Sequence, residues 1–384
     1  MAKQEQTMTT SDFNLEKLNT KDLSEHVAAT IQVGGNIAIF GRRGTGKTEI
    51  SKQEIKKADM LEVYINLSVM ERVDLGGYPN FAAANKAVEA NKKAFIDFLL
   101  PQFYEAMLDK DVLAGKKGVV ALLDEVDKAD PSLWAPLLEF TQFRSINGQR
   151  LDYLWATIMT GNLISEGGAR PSLPLLDRAE KYLVEADASS WLEWAGKSGG
   201  IHPSITAYIT DHPKDLFGAV DPEDRYADPS PRGWYRASEL LYKGEERGWS
   251  SALLNKKVCG CIGKDAGIKY SNYYEHYQQL LPMIEDIYAG KDVAGRYAVL
   301  EPTKKLVACM ITCARLATQL DQAPEGEAPP AVKHVGKFLQ KVSYENVLVA
   351  VRSQIQIDRL VKFNLDEHPE WEQVLNKINK KVED

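Results

Sequence analysis

Hydrophobic positions along this chain follow two regimes, and the change comes near residue 187. Before it, short apolar runs alternate with helical spacing. Asn36-Ile37-Ala38-Ile39-Phe40, Leu61-Glu62-Val63-Tyr64-Ile65-Asn66, Gly118-Val119-Val120-Ala121-Leu122-Leu123, residues 154–159 and residues 181–185 read as strands. The run at 118–123 is unbroken, the pattern of a central parallel strand covered on both faces. Residues 15–31 have helical spacing and stop at Gly34-Gly35. A long helical stretch is predicted over 82–109, kinked or divided at Pro101. Asp130-Pro131 caps and opens a helix through Phe143, and Asn147-Gly148 is a hairpin turn signal. Strands alternating with helices predict an α/β layer fold around a parallel sheet, over residues 15–187.

Beyond 187 no convincing strand appears. Residues 190–196, 202–209, 231–242, 263–277 and 303–320 read as helices of a second, all-α region. The expected partition is a helical domain over 188–280, a helical extension over 281–320, an acidic, Pro-rich linker over 321–331 and a charged helical segment over 332–384. Residues 1–14 are expected to be disordered.

The chemistry centres on Gly41-Arg42-Arg43-Gly44-Thr45-Gly46-Lys47-Thr48, which fits the phosphate-loop pattern G-x-x-x-x-G-K-[ST]. It lies between a predicted strand and a predicted helix that begins near Glu49, the context the pattern requires. Glycines let backbone N–H groups turn inward around phosphate oxygens, and the helix N-terminus adds a fixed positive dipole. Lys47 supplies a mobile charge for the β- and γ-phosphates, and Thr48 a hydroxyl for Mg2+.

Asp124-Glu125 ends the strongest strand and reads as the second half of a nucleoside triphosphatase site. Asp124 holds Mg2+, directly or through water, and Glu125 takes a proton from the attacking water or orients it. Asn162 closes the strand expected beside the loop, where an amide senses the γ-phosphate; the competing reading is a turn asparagine. Arg178 is the candidate for an arginine aimed at a γ-phosphate from a neighbouring subunit, against a surface ion pair. Arg170 is a weaker candidate for the same role. Arg232 opens a helix of the second region and is read as reaching back toward nucleotide, with Arg236 one turn later as competitor.

Composition narrows the partners. A formal net charge of -7 on 384 residues gives no global basic field for nucleic acid or anionic lipid. No apolar run approaches the ~20 residues of a membrane helix, and the polar start lacks a signal-peptide core, so a cytoplasmic protein is expected. Cys259, Cys261, Cys309 and Cys313 sit in apolar runs and read as core residues rather than a zinc site.

Taken together, these residues resemble the AAA+ ATPase superfamily over roughly residues 20–275. The similarity is to the MoxR-like and dynein-related branch, which includes chelatase-type ATPases. Asp74-Leu75-Gly76-Gly77-Tyr78-Pro79 resembles that branch's loop before the helix-2 insert, placed near 70–82. Leu138-Glu139 through Asn147-Gly148 is similar to its hairpin region, Leu173-Pro174-Leu175-Leu176-Asp177-Arg178 to its L-P-x-x-x-L-D-R-F segment, and Ser230-Pro231-Arg232 to its sensor 2 motif. The resemblance implies that Asn162 is sensor 1, Arg178 the finger acting in trans, Arg232 sensor 2, and residues 188–280 a lid. It also implies ATP as nucleotide, a homo-oligomeric ring, usually a hexamer, and a remodelling role alongside a partner with a von Willebrand factor A domain. A motor acting on nucleic acid is the alternative, opposed by the acidic charge. A nucleotide-gated scaffold is opposed by Glu125, which a pure binder does not need.

Overall fold

The computed structural model describes residues 15–164, 171–185, 187–198, 200–218, 229–324, 327–355 and 357–379. The expectations for 1–14 and for Arg170 lie outside the described residues. The chain divides into two compact units, Met1–Ala186 and Asp187–Asp384.

The first unit carries, in chain order, β1 (Glu16–Leu18), α1 (Thr20–Val33), β2 (Asn36–Gly41), α2 (Lys47–Lys57), β3 (Leu61–Asn66), α3 (Arg72–Gly76), β4 (Tyr78–Pro79), α4 (Phe81–Glu89), β5 (Phe98–Leu99) and α5 (Glu105–Leu108). It continues with β6 (Val119–Asp124), α6 (Trp134–Phe143), β7 (Ser145–Ile146), β8 (Gln149–Arg150), β9 (Leu154–Gly161), α7 (Leu173–Leu176) and β10 (Glu180–Val184). Six strands form one sheet in the order β1-β10-β2-β9-β6-β3, and every pairing in it is parallel.

Alternate residues of the central strands face opposite layers, which explains their unbroken apolar runs. Ile37, Ile39, Val120 and Leu122 pack with Leu23, Val27 and Ile31 of α1 and Ile55 of α2. Ala38, Phe40, Ala121 and Leu123 pack with Leu137 and Phe140 of α6 and with Tyr104 and Met107. Gly34 ends α1 in the left-handed region, at φ 69°, as its stop signal requires.

Two expectations are corrected. The predicted helix over 15–31 begins only at Thr20, capped by the Asn19 side chain, and the residues before it form the edge strand β1 paired to β10. Three residues are too few for a strand's alternation to show. The long helix over 82–109 is not formed. α4 ends at Glu89, Asn91 turns at φ 56°, and β5 pairs antiparallel with β4. The alanine-rich part keeps its helix as α4, while Phe98 and Leu99 beyond it are drawn into cross-strand pairing with Pro79 and Tyr78.

The second unit has no strand among the described residues. It opens with α8 (Ala188–Ser198), α9 (Pro203–Asp211), α10 (Pro231–Arg247), α11 (Ser251–Ile262) and α12 (Lys264–Tyr288). Further helices follow between Ala294 and Asn379, the longest being Pro302–Gln322. α12 carries Pro282 within it and runs through residues that resist assignment on sequence. A single hydrophobic core takes in Trp234, Tyr270, Leu316, Val335 and Trp371. The stretches that sequence separates as domain, extension and terminal segment therefore share one interior. Cys309 and Cys313 are buried in it, Cys261 packs against its margin, and Cys259 is half-buried. Among the described residues no His, Cys, Asp and Glu cluster suits a metal, and no helix is long and apolar enough to cross a membrane.

Candidate nucleotide site

The loop runs from the end of β2 into α2, as its sequence requires. Gly44 and Gly46 stand at φ 77° and 83°, a conformation that side chains disfavour. Gly41 has a different reason to be glycine: a Cβ there would lie 2.8 Å from the Val184 carbonyl oxygen of the adjacent strand. Within the loop the Thr45 hydroxyl donates to the Arg42 carbonyl at 2.9 Å. Lys47 is buried, and its ammonium donates to the carbonyls of Gly41 at 2.8 Å and Arg42 at 2.9 Å. Arg42 is half-buried; Arg43 and Glu49 are exposed, and Glu49 accepts from the Gln53 amide.

The parallel register carries Asp124 to the same, carboxyl end of the sheet as the loop. Its Oδ1 accepts from the Thr48 hydroxyl at 3.2 Å, from the Glu125 N–H at 3.1 Å and from the Thr160 hydroxyl. Its Oδ2 accepts from the Tyr64 phenol at 2.9 Å. Partial burial and the bond to Asp124 push the Tyr64 phenol up to about 12, so it stays a donor near neutral pH. A hydroxyl and a carboxylate held this close form a hard-oxygen pair, the donor set that suits Mg2+.

Glu125 follows in the left-handed region, at φ 57°. The αL position turns its side chain out of the strand's alternation. Its carboxylate accepts from Lys128 Nζ at 2.8 Å. That bond, aided by the Ser68 hydroxyl, holds the Glu125 carboxyl below the ordinary glutamate range. Asn162 sits just past β9, half-buried, with its backbone N–H bonded to Asp127 Oδ1 at 2.9 Å.

The structure thus gathers Lys47, Thr48 and Asp124, with Glu125 directly following, at the carboxyl end of the sheet. Arg178 is bonded within its own unit: Nε donates to Gln142 Oε1 at 2.7 Å and a terminal nitrogen to the Pro174 carbonyl. Arg232 belongs to the second unit, exposed in the first turn of α10, which Ser230 caps by accepting from the Gly233 N–H. Sequence reasoning missed Tyr64, Thr160, Asp127 and Lys128. Only Thr160 had a readable signal, as a hydroxyl two residues before Asn162 at a strand end.

Sheet order, loop and carboxylate together define a phosphate-loop α/β core followed by a helical region. No protein-family model matches the chain, and no curated protein matches it by sequence. Solved structures similar to it include the RuvB Holliday junction branch migration motor of Thermotoga maritima. That match has 14% identity over 71% of this chain and 76% of the other, with a TM-score of 0.33. A putative ATPase from Cytophaga hutchinsonii is similar at 13% identity over 87% of this chain and 74% of the other, with a TM-score of 0.29.

Proposed function

We propose that this chain is a Mg2+-dependent ATPase that works as a ring and remodels a protein partner. The observation that carries the reading is the 3.2 Å bond from Thr48 to Asp124. It joins the phosphate loop to the carboxylate strand, which are remote in sequence and make one hydrolytic site only together.

In this reading the loop amides and Lys47 bind the β- and γ-phosphates, Lys47 exchanging carbonyl partners for phosphate oxygens. Thr48 and Asp124 hold Mg2+, which when bound neutralises phosphate charge. Glu125 orients the attacking water and accepts its proton, and Asn162 fixes the water or the γ-phosphate from the neighbouring strand. Arg178, or Arg170, stabilises transition-state charge from the next protomer. Arg232 reports nucleotide state to a lid formed by residues 188–280. The hexameric ring, the MoxR-like branch and a partner with a von Willebrand factor A domain rest on the sequence resemblance alone.

Steady-state ATP hydrolysis by the purified chain tests this. Wild type turns over ATP only with Mg2+. Glu125→Gln keeps a fluorescent ATP analogue bound yet loses turnover by about 100-fold or more. Normal turnover in that variant would refute the role of Glu125. A rate raised by duplex DNA would move the client from protein to nucleic acid.

A further inference from the structure

Asp127 follows Glu125 by two residues and has no part in the reaction as read above. It is 2% exposed. Its Oδ1 accepts the Asn162 N–H at 2.9 Å, and its Oδ2 has no hydrogen-bond partner among the described residues. A carboxylate buried on so few bonds is costly. A residue kept there for packing would be apolar, as the fully buried neighbour Val126 is.

What the carboxylate joins explains its presence. Asp127 sits in the single turn Val126–Lys128, which starts from Glu125 and is closed by the Lys128 N–H on the Glu125 carbonyl at 2.9 Å. Asp127 and Glu125 therefore move as one piece. On the other side, pairing of β9 with β2 ends at Gly161 opposite Phe40. The next N–H, that of Asn162, falls beyond the ladder and needs an acceptor. The packing is close as well. A Cβ on Gly161 would lie 2.9 Å from the Phe40 ring and 3.1 Å from Asp127 Oδ1. Phe40 immediately precedes the phosphate loop. Strand end and turn thus meet at one buried carboxylate.

We propose that Asp127 is a positioning residue that ties the strand end carrying Asn162 to the turn carrying Glu125. It sets the distance between the group that senses γ-phosphate and the group that acts on water, and passes a shift of one to the other. This rests on the catalytic reading of Asn162 and Glu125 given above, and its test is built to fail separately.

The tether is read without turnover by hydrogen exchange. Exchange at the Asn162 amide rises in Asp127→Ala and stays slow in Asp127→Asn, which keeps an oxygen acceptor, while exchange in β6 is unchanged in both. Turnover gives the second readout. Asp127→Ala lowers kcat by about 100-fold, the scale of an ångström's misplacement, with KM held to within about threefold. Asp127→Asn restores kcat to within about threefold of wild type. The double variant Asp127→Ala with Asn162→Ala is no slower than Asn162→Ala, because the two act as a unit. If Asp127→Ala does not fold, Gly161→Ala takes its place by crowding the same carboxylate. Unchanged exchange in the alanine variant, or losses that add in the double variant, would overturn the proposal. A wild-type chain without ATPase would sink the hydrolytic reading instead, and the exchange experiment would still decide the tether.

Discussion

Asn147 donates its side-chain amide to the Gly76 carbonyl, so the turn of the β7–β8 hairpin is fastened to the base of the β4–β5 insert. The same turn is held from below by Glu139 of α6, which accepts from the Gly148 N–H at 2.8 Å, the Asn147 N–H at 3.1 Å and the Ser145 hydroxyl at 3.0 Å. Glu139 thus fixes the hairpin and Asn147 links it to the insert. Glu139→Ala is expected to cost about 2 kcal/mol, the range for hydrogen bonds to a charged acceptor. Asn147→Gly, which tolerates the φ of 49° at this position, should cost about 1 kcal/mol, as a neutral and exposed bond. Denaturant midpoints of the two variants check the order. Equal losses would show that the carboxylate does not organise the hairpin.

Two neighbouring glycines in the insert have opposite tolerances. Gly77 stands at φ 79°, and a Cβ on it would lie 2.6 Å from the Leu99 carbonyl oxygen. Gly76 belongs to α3, and the nearest atom to a Cβ there is the Asn147 amide nitrogen at 3.9 Å. Gly77→Ala is expected to destabilise by more than about 1 kcal/mol, because backbone and space both refuse it. Gly76→Ala should be neutral or slightly stabilising. Limited proteolysis in the segment 90–97, inside the insert, reads the difference: cleavage accelerates for Gly77→Ala only.

In the mechanism proposed above, Lys128 sets the pH at which Glu125 can act as a base. Its bond to the carboxylate favours the ionised form and holds the carboxyl below the ordinary glutamate value. A base works when deprotonated, so the acid limb of kcat/KM lies at low pH in wild type. Lys128→Met removes the stabilising charge, and the limb is expected to move to higher pH. The same pairing contributes stability above the unfolded glutamate value, lost as pH falls through the lower folded value. A pH–rate profile whose acid limb does not move would show that another group titrates there.

The strand–loop–helix course through residues 36–57 and the strand end at Asp124 were legible because each is a contiguous run whose neighbours in sequence are its neighbours in space. The central strands were legible because burial on both faces leaves an unbroken apolar signature. The insert was not. Its course depends on Tyr78 and Pro79 pairing with Leu99 and Phe98, a contact that no local pattern announces. Tyr64 and Asp127 were illegible for a similar reason, since both gain their meaning only from strand register. The acidic, Pro-rich stretch near 321–331 looked like a boundary, yet composition at the surface says nothing of what is packed beneath. Leu320 just before it and Val332 just after share the same interior.

Arg178 rests on partners within its own unit. Its backbone is pinned, since its carbonyl accepts from Asn36 Nδ2 at 3.0 Å, while its guanidinium is engaged by Gln142 and the Pro174 carbonyl. An arginine that acts on the neighbouring protomer must leave these partners, and they orient it in the meantime. Arg178→Ala is therefore expected to bind nucleotide as wild type does, with turnover lowered by about 1,000-fold, the scale of losing such a finger. Gln142→Ala, which removes a resting partner and no catalytic group, should leave turnover within about threefold of wild type. Mixing Arg178→Ala with Lys47→Ala, each inactive alone, decides the geometry. In a mixed ring some interfaces pair an intact phosphate loop with an intact arginine, and activity returns in proportion to their number. A mixture as inactive as its components would place the arginine's action within its own chain, or assign it to another residue.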